Sequence, residues 1–257
     1  SDRKFLVAIT YTNRAADEIR ERIEGMGIDT KQLWIGTIHA FCLEWILRPY
    51  GIYHNTLKCG FRVISTHQRE ELLEELCIPY KYNYPRVTKW DCDYYVAEDG
   101  YRLACVDPNK HTTIHAVLTA YFERLLVSRQ LDFELILYYA YQLIGAHQPI
   151  RKILSSLFSL ILIDEYQDTK SIQYSIIAAM LKAGQGSTNA FIVGDPNQAI
   201  FGSLGGLAME AKAFGAMAGV TFNEMALSKN YRSSERIIDY FGNFNIYNTE
   251  VEAASED

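Results

Sequence analysis

Residues 160–168 read Leu160-Ile161-Leu162-Ile163-Asp164-Glu165-Tyr166-Gln167-Asp168, with Thr169 and Gln173 following. Four aliphatic residues bounded by polar ones mark a strand buried on both faces of a parallel α/β sheet, and ligands of such sheets collect at the carboxyl ends of the strands. Two adjacent carboxylates at that end suit a site that holds Mg²⁺ and aims a water at a nucleotide. An isolated Asp-Glu pair has a competing reading as an acidic helix start, because carboxylates favour N-caps and first turns. The rest of the chain decides between the two.

The α/β signal repeats on both sides of this run. An apolar, β-branched stretch over 5–10 predicts a strand; Tyr11-Thr12-Asn13 then makes a polar turn into a helix over 15–24. Thr12 or Asn13 can cap that helix, Glu18 and Arg22 stand at i,i+4 spacing, and Gly25 and Gly27 close it. A second strand is expected over 33–36, leading through Thr37-Ile38-His39 into a helix over 40–47 that Pro49 and Gly51 stop. Beyond 160–163, a helix over 172–182 precedes a strand over 190–193, which ends in Gly194-Asp195-Pro196-Asn197-Gln198. Alternation of this kind predicts a doubly wound parallel sheet.

Residues 50–150 differ. They are rich in Tyr, carry helical patterns over 68–76, 114–127 and 132–144, and show little convincing strand; 81–101 is aromatic without a clear period. A mostly helical insertion is expected there, dividing the α/β core into 1–49 and 151–257. The segment 251–257 reads as a frayed acidic tail.

Composition narrows the class. With 257 residues, 49% hydrophobic and 22% charged, the chain has ordinary globular composition and room for a sizeable core. Apolar stretches fall short of the roughly 18 residues of a membrane span, and Ser1-Asp2-Arg3-Lys4-Phe5 lacks a signal-peptide layout. No membrane association and a cytoplasmic location are therefore expected. Five scattered cysteines without a Cys-x-x-Cys pair favour reduced thiols over a zinc site. His111 and His115 could share a helical face, but no acidic or Cys partner stands at ligand spacing. A net charge of −6 excludes nucleic-acid binding by bulk positive charge. It permits local contacts through a few cations, hydroxyls and helix amino termini.

In order along the chain, five blocks resemble the motifs of superfamily 1 DNA helicases of the UvrD/Rep/PcrA group. Ala8-Ile9-Thr10-Tyr11-Thr12-Asn13-Arg14-Ala15-Ala16 resembles motif Ia, and Gly36-Thr37-Ile38-His39-Ala40-Phe41 resembles motif Ib. Ile163-Asp164-Glu165-Tyr166-Gln167-Asp168-Thr169 with Gln173 resembles motif II. Val193-Gly194-Asp195-Pro196-Asn197-Gln198-Ala199-Ile200-Phe201-Gly202 resembles motif III, and Leu227-Ser228-Lys229-Asn230-Tyr231-Arg232-Ser233 motif IV. Leu131-Asp132-Phe133 is also family-like, and the likeness is loosest over about 78–110.

The resemblance implies a RecA-like parallel sheet flanked by helices, the P-loop NTPase type called domain 1A, with an inserted, mostly helical subdomain 1B. It implies ATP and Mg²⁺ as cofactors. Asp164 would hold Mg²⁺ through water, Glu165 would orient and deprotonate the attacking water, Gln198 would sense the γ-phosphate, and Arg232 would neutralise its developing charge. Tyr11 would stack on a base of single-stranded DNA; Thr12, Asn13, Thr37 and His39 would meet phosphates or order the loops, each being equally suited to capping or packing. Phe201 matches a motif III aromatic, whereas Ser203 and Leu204 stand where the group carries an aromatic residue and an arginine.

No Gly-x-x-x-x-Gly-Lys-[Ser/Thr] occurs, and Gly184-Gln185-Gly186-Ser187-Thr188 has no lysine. The expectation is therefore a piece of a longer 3′-to-5′ helicase, inactive alone. Its implied partners are single-stranded and tailed duplex DNA and the second RecA-like domain of the parent chain. A helicase-like DNA- or protein-binding module that never had a P-loop is the alternative, and a recombination-type nuclease-helicase subunit a more distant one.

Overall fold

In a computed structural model, residues 4–82, 84–247 and 249–254 are described. Four strands, β1 (Phe5–Thr10), β2 (Leu33–Thr37), β5 (Phe158–Ile163) and β6 (Asn189–Ile192), form one parallel sheet in the order β2-β1-β5-β6. Between them in the chain, β3 (Tyr94–Ala97) and β4 (Gly100–Leu103) pair antiparallel as a hairpin, and the two-residue segments Arg62–Val63 and Gln130–Leu131 pair parallel. β1 is central, with Val7, Ala8, Ile9 and Thr10 all buried. Its register sets Ala8 beside Ile35 and Leu162, and Ile9 beside Gly36 and Ile163.

Side chains alternate across a strand, so the two faces of the sheet bury different sets. Ala8 and Ile35 pack with Ala16 of α1 (Asn13–Gly25), joined by Ile19, Ile23 and Leu162. Val7, Ile9, Ile161 and Ile163 face the larger core, which continues without a break into the helical insertion. Thr12 caps α1, accepting a bond from the Ala15 amide, and Arg22 pairs with Glu18 at i,i+4 spacing.

The chain returns to the sheet by helices. β2 leads into α2 (Ile38–Phe41), capped by Thr37. The insertion holds α3 (Thr66–Cys77), opened by a Ser65–Gln68 capping box, then α4 (Pro108–Val127) and α5 (Phe133–Ala146). α6 (Gln148–Leu157) feeds β5, α7 (Ser171–Gly184) joins β5 to β6, and α8 (Ala211–Ala218) and α9 (Glu235–Gly242) follow. This is an α/β, RecA-like arrangement of the P-loop NTPase type with an inserted helical subdomain.

Four expectations are corrected. Pro49 does not stop the helix after β2: a π-helical turn over Cys42–Leu47 passes directly into the helical turn Arg48–Tyr50. Proline is tolerated there because it stands in the first turn of the new segment, where its missing N–H has no helical partner to lose. The β3–β4 hairpin lies inside the stretch read as nearly strand-free; four-residue strands are too short to impose a visible period on an aromatic-rich segment. α6 begins before residue 150, so the expected boundary falls within a helix. Finally, Glu252–Ala253 pairs with Lys229–Asn230 where a frayed tail was expected, while 255–257 lie outside the described residues.

Candidate nucleotide and nucleic-acid site

Asp164 and Glu165 follow β5 at its carboxyl end, where the Asp164 amide still bonds to the Ile9 carbonyl of β1 at 3.0 Å. The strand ladder therefore delivers Asp164 to the sheet edge at a fixed height. Glu165 then takes a left-handed backbone, φ 54° and ψ 49°. A non-glycine residue is strained there, and such strain gathers at functional sites where surrounding contacts hold it. Two contacts do so: the Glu165 amide donates to Asp164 Oδ1 at 3.1 Å, and the next amide, Tyr166, to the Val193 carbonyl at 3.2 Å.

Gln167, only 2% exposed, ties the two strand ends together. Its amide nitrogen donates to Glu165 Oε2 at 2.6 Å, and its carbonyl accepts the Asp195 amide at 3.1 Å. Asp195 in turn accepts from Gln198 Nε2 at 2.9 Å. Asp164, Glu165 and Gln198 thus belong to one hydrogen-bonded chain across β5 and β6. Gly194 makes the close approach possible, since a Cβ there would stand 2.2 Å from Gln167 Oε1 and 2.6 Å from the Tyr166 ring.

Burial, and then the charge of Glu165, raise the Asp164 carboxyl above its ordinary range. Burial raises Asp168 as well, against bonds from the Ile200 and Phe201 amides that pull it down. The raised proton affinity of Asp164 fits a divalent cation beside it, which would favour the ionised form. Among the described residues no group of three or more His, Cys, Asp or Glu could hold a metal alone.

Beneath the carboxylates lies a cavity of about 40 Å³, bordered by Thr10, Tyr11, His39, Asp164, Glu165 and Gln173. Ile9, Ile38, Ile163 and Ile177 also line it, so the cavity is mostly apolar. His39 is packed inside this region, edge-on to Phe133 at 5.8 Å, with its Nε2 lacking a hydrogen-bond partner. Burial, and then the Lys170 charge, lower its pKa to about 4.

Tyr11, half-exposed, stacks on Phe201 at 5.0 Å and 29°, so motifs Ia and III meet through their aromatic rings. Thr12 and Thr37 accept bonds from Ala15 and Ala40 as N-caps, and Asn13 is exposed at the start of α1. Ser203 and Leu204 are exposed on the turn after Phe201. Arg232 is exposed on a separate segment; its amide donates to Asn230 Oδ1 at 2.8 Å, and no hydrogen bond joins its side chain to the carboxylates among the described residues.

Sequence reasoning quoted Gln167, Gly194 and Asp195 without assigning them roles. It missed Lys170 and Glu134 altogether. The Lys170 ammonium pairs with Glu134, whose carboxylate also accepts the Val96 amide at 2.9 Å, and lies 5.9 Å over the Tyr95 ring. Backbone pairing of Lys170 with Gly206 extends this junction to the motif III turn. The available signal was Lys170's position directly after motif II.

Comparison with known proteins identifies the family. Residues 1–210 match the family described as the UvrD/REP helicase N-terminal domain. Over 91% of its length the chain is 26% identical to the ATP-dependent DNA helicase SRS2 of Saccharomyces cerevisiae, covering 22% of that protein. It is 29% identical to the ATP-dependent DNA helicase PcrA of Leuconostoc citreum and to DNA helicase II of Salmonella typhimurium, covering 91% of this chain and 32% of each. The chain thus spans about a third or less of the length of these relatives. Motif IV falls beyond the matched residues. By the match over most of its length, the chain belongs to the UvrD/REP helicase N-terminal domain family.

Proposed function

We propose that this chain is the part of an ATP-dependent DNA helicase that supplies motifs Ia to IV, in a parent that moves 3′ to 5′ along single-stranded DNA in the cytoplasm and unwinds tailed duplexes. The polarity follows from the helicase group. The observation that carries the reading is the hydrogen-bonded chain from Asp164 and Glu165 through Gln167 and Asp195 to Gln198.

In this mechanism Asp164 would hold Mg²⁺, and bound Mg²⁺·ATP would supply a polarised γ-phosphate. Glu165, held by Gln167, orients a water and takes its proton. Gln198 responds to the phosphate through Asp195, which shares Gln167 with Glu165. Tyr11 and Phe201 offer π-faces to unpaired bases, Thr12, Asn13 and Thr37 line the strand-to-helix turns near the backbone, and His39 supports them from within. Arg232 reaches the phosphate in the assembled parent, where the second RecA-like domain completes the site. The chain alone turns over no ATP, because no Gly-Lys-Ser/Thr phosphate loop is present.

In the parent enzyme, Glu165→Gln abolishes ATP turnover while sparing ATP binding; hydrolysis at the parental rate would overturn the assignment of the base. Ser203 and Leu204 in motif III favour a second reading as an inactive binding module. A parent sequence with no phosphate loop ahead of Phe5 would decide for it.

A further inference from the structure

Residues 78–90 carry Lys81, Arg86 and Lys89 and no acidic residue, in a chain of net charge −6. Three of their four aromatic side chains face outward, Tyr82 at 89% exposed, Tyr84 at 95% and Trp90 at 67%, while Tyr80 packs against the core. Exposed aromatic area of this density marks an interaction surface more often than a solvated loop.

The base of the loop is firmly held. Cys77, Val87 and Cys92 are buried, Lys89 bonds to Glu74 at 2.9 Å, and Lys110 bonds to Asp91 at 2.7 Å. Thr88 and Asp91 form a capping box beneath Trp90. These ion pairs consume Lys89 and Asp91, whereas Lys81 and Arg86 have no carboxylate partner among the described residues. Lys89 and Lys81 also lie over the Trp90 and Tyr82 rings, at 5.0 and 5.8 Å. The outer surface thus alternates π-faces with free cations on a rigid footing.

We propose that the 78–90 loop is a second contact surface for single-stranded nucleic acid, with Tyr82, Tyr84 and Trp90 stacking on bases and Lys81 and Arg86 meeting phosphates. Charge complementarity selects a polyanion, and the aromatic faces select one whose bases are unstacked, which excludes an intact duplex. In sequence the loop lies between motifs Ib and II and belongs to none of the five helicase-like blocks.

The test uses residues 1–257 and a fluorescein-labelled oligothymidylate of about 16 nucleotides, enough to fill a site of ordinary size. Anisotropy gives affinity, and 5-bromodeoxyuridine photocrosslinking gives position. Crosslinks should map to Tyr82, Tyr84 or Trp90. Tyr82→Ala/Tyr84→Ala/Trp90→Ala should weaken binding at least about tenfold, whereas the matching triple Phe variant, which keeps the π-faces, should bind as the parent does. Parental affinity in the Ala variant, with crosslinks only at Tyr11 or Phe201, would overturn the proposal and leave the motif contact standing. Equal losses in the Ala and Phe variants would overturn it too. So would a dimer that forms without oligonucleotide and dissociates in the Ala variant, which would make a second copy the occupant.

Discussion

Gly194→Ala tests whether the approach of the two strand ends is what holds Glu165. The added Cβ would stand 2.2 Å from Gln167 Oε1, 2.6 Å from the Tyr166 ring and 2.9 Å from the Tyr166 amide nitrogen. Gln167 is 2% exposed and cannot swing into water, so the clash must displace it or part the strands. Overpacking of this kind costs about 1–3 kcal/mol. Displacement also breaks the Gln167–Glu165 bond, a hydrogen bond to a charged group worth about 1.5–3 kcal/mol. The sum is about 4 kcal/mol, which for a chain of this size lowers Tm by about 10 °C. Thermal unfolding followed by far-UV circular dichroism measures it. Gly145→Ala is the control: a Cβ there meets nothing within 4 Å near the end of α5, and a gain of about 0.5 kcal/mol is expected. A Gly194→Ala protein melting within about 2 °C of the parent would refute the close-approach argument.

Other perturbations probe the same region. His39 binds its proton more weakly folded than unfolded, so the unfolded chain takes up the extra proton. Its contribution is intact above pH 6.5 and is lost as pH falls toward 4, by about 3 kcal/mol; denaturant titrations should show this slope, and an unchanged slope in His39→Phe would exclude His39 as its source. Glu134→Leu strands the Lys170 ammonium in a mostly buried position and should cost about 3 kcal/mol. Adding Lys170→Met should recover part of that loss, and simple additivity in a double-mutant cycle would disprove the coupling. In the parent helicase, Tyr11→Ala should weaken single-stranded DNA binding about tenfold; an unaltered Kd in a fluorescence titration would remove Tyr11 from the interface.

The four sheet strands were legible because each contains an apolar run, although the edge strand β6 leaves Asn189 and Phe191 exposed. Thr12 and Thr37 were legible as helix caps for a similar reason, since capping is settled within three residues of chain. The β3–β4 hairpin and the π-helical turn were not. The hairpin's short strands carry almost no period, and the helix geometry after β2 depends on packing against α5 and the sheet.

The carboxylates and the aromatic pair illustrate the same division. Their residue types and order could be read along the chain, because chemistry and strand ends are local properties. That Tyr11 lies on Phe201, that Gln167 bridges Glu165 to Asp195, and that Lys170 meets Glu134 depends on return paths of 190, 28 and 36 residues. The sequence by itself determined the α/β class and which residues end each strand. Only the tertiary structure decided which of those ends touch and which histidine packs against Phe133 beside the carboxylates, because burial and hydrogen bonding between distant segments are set by how the whole core closes.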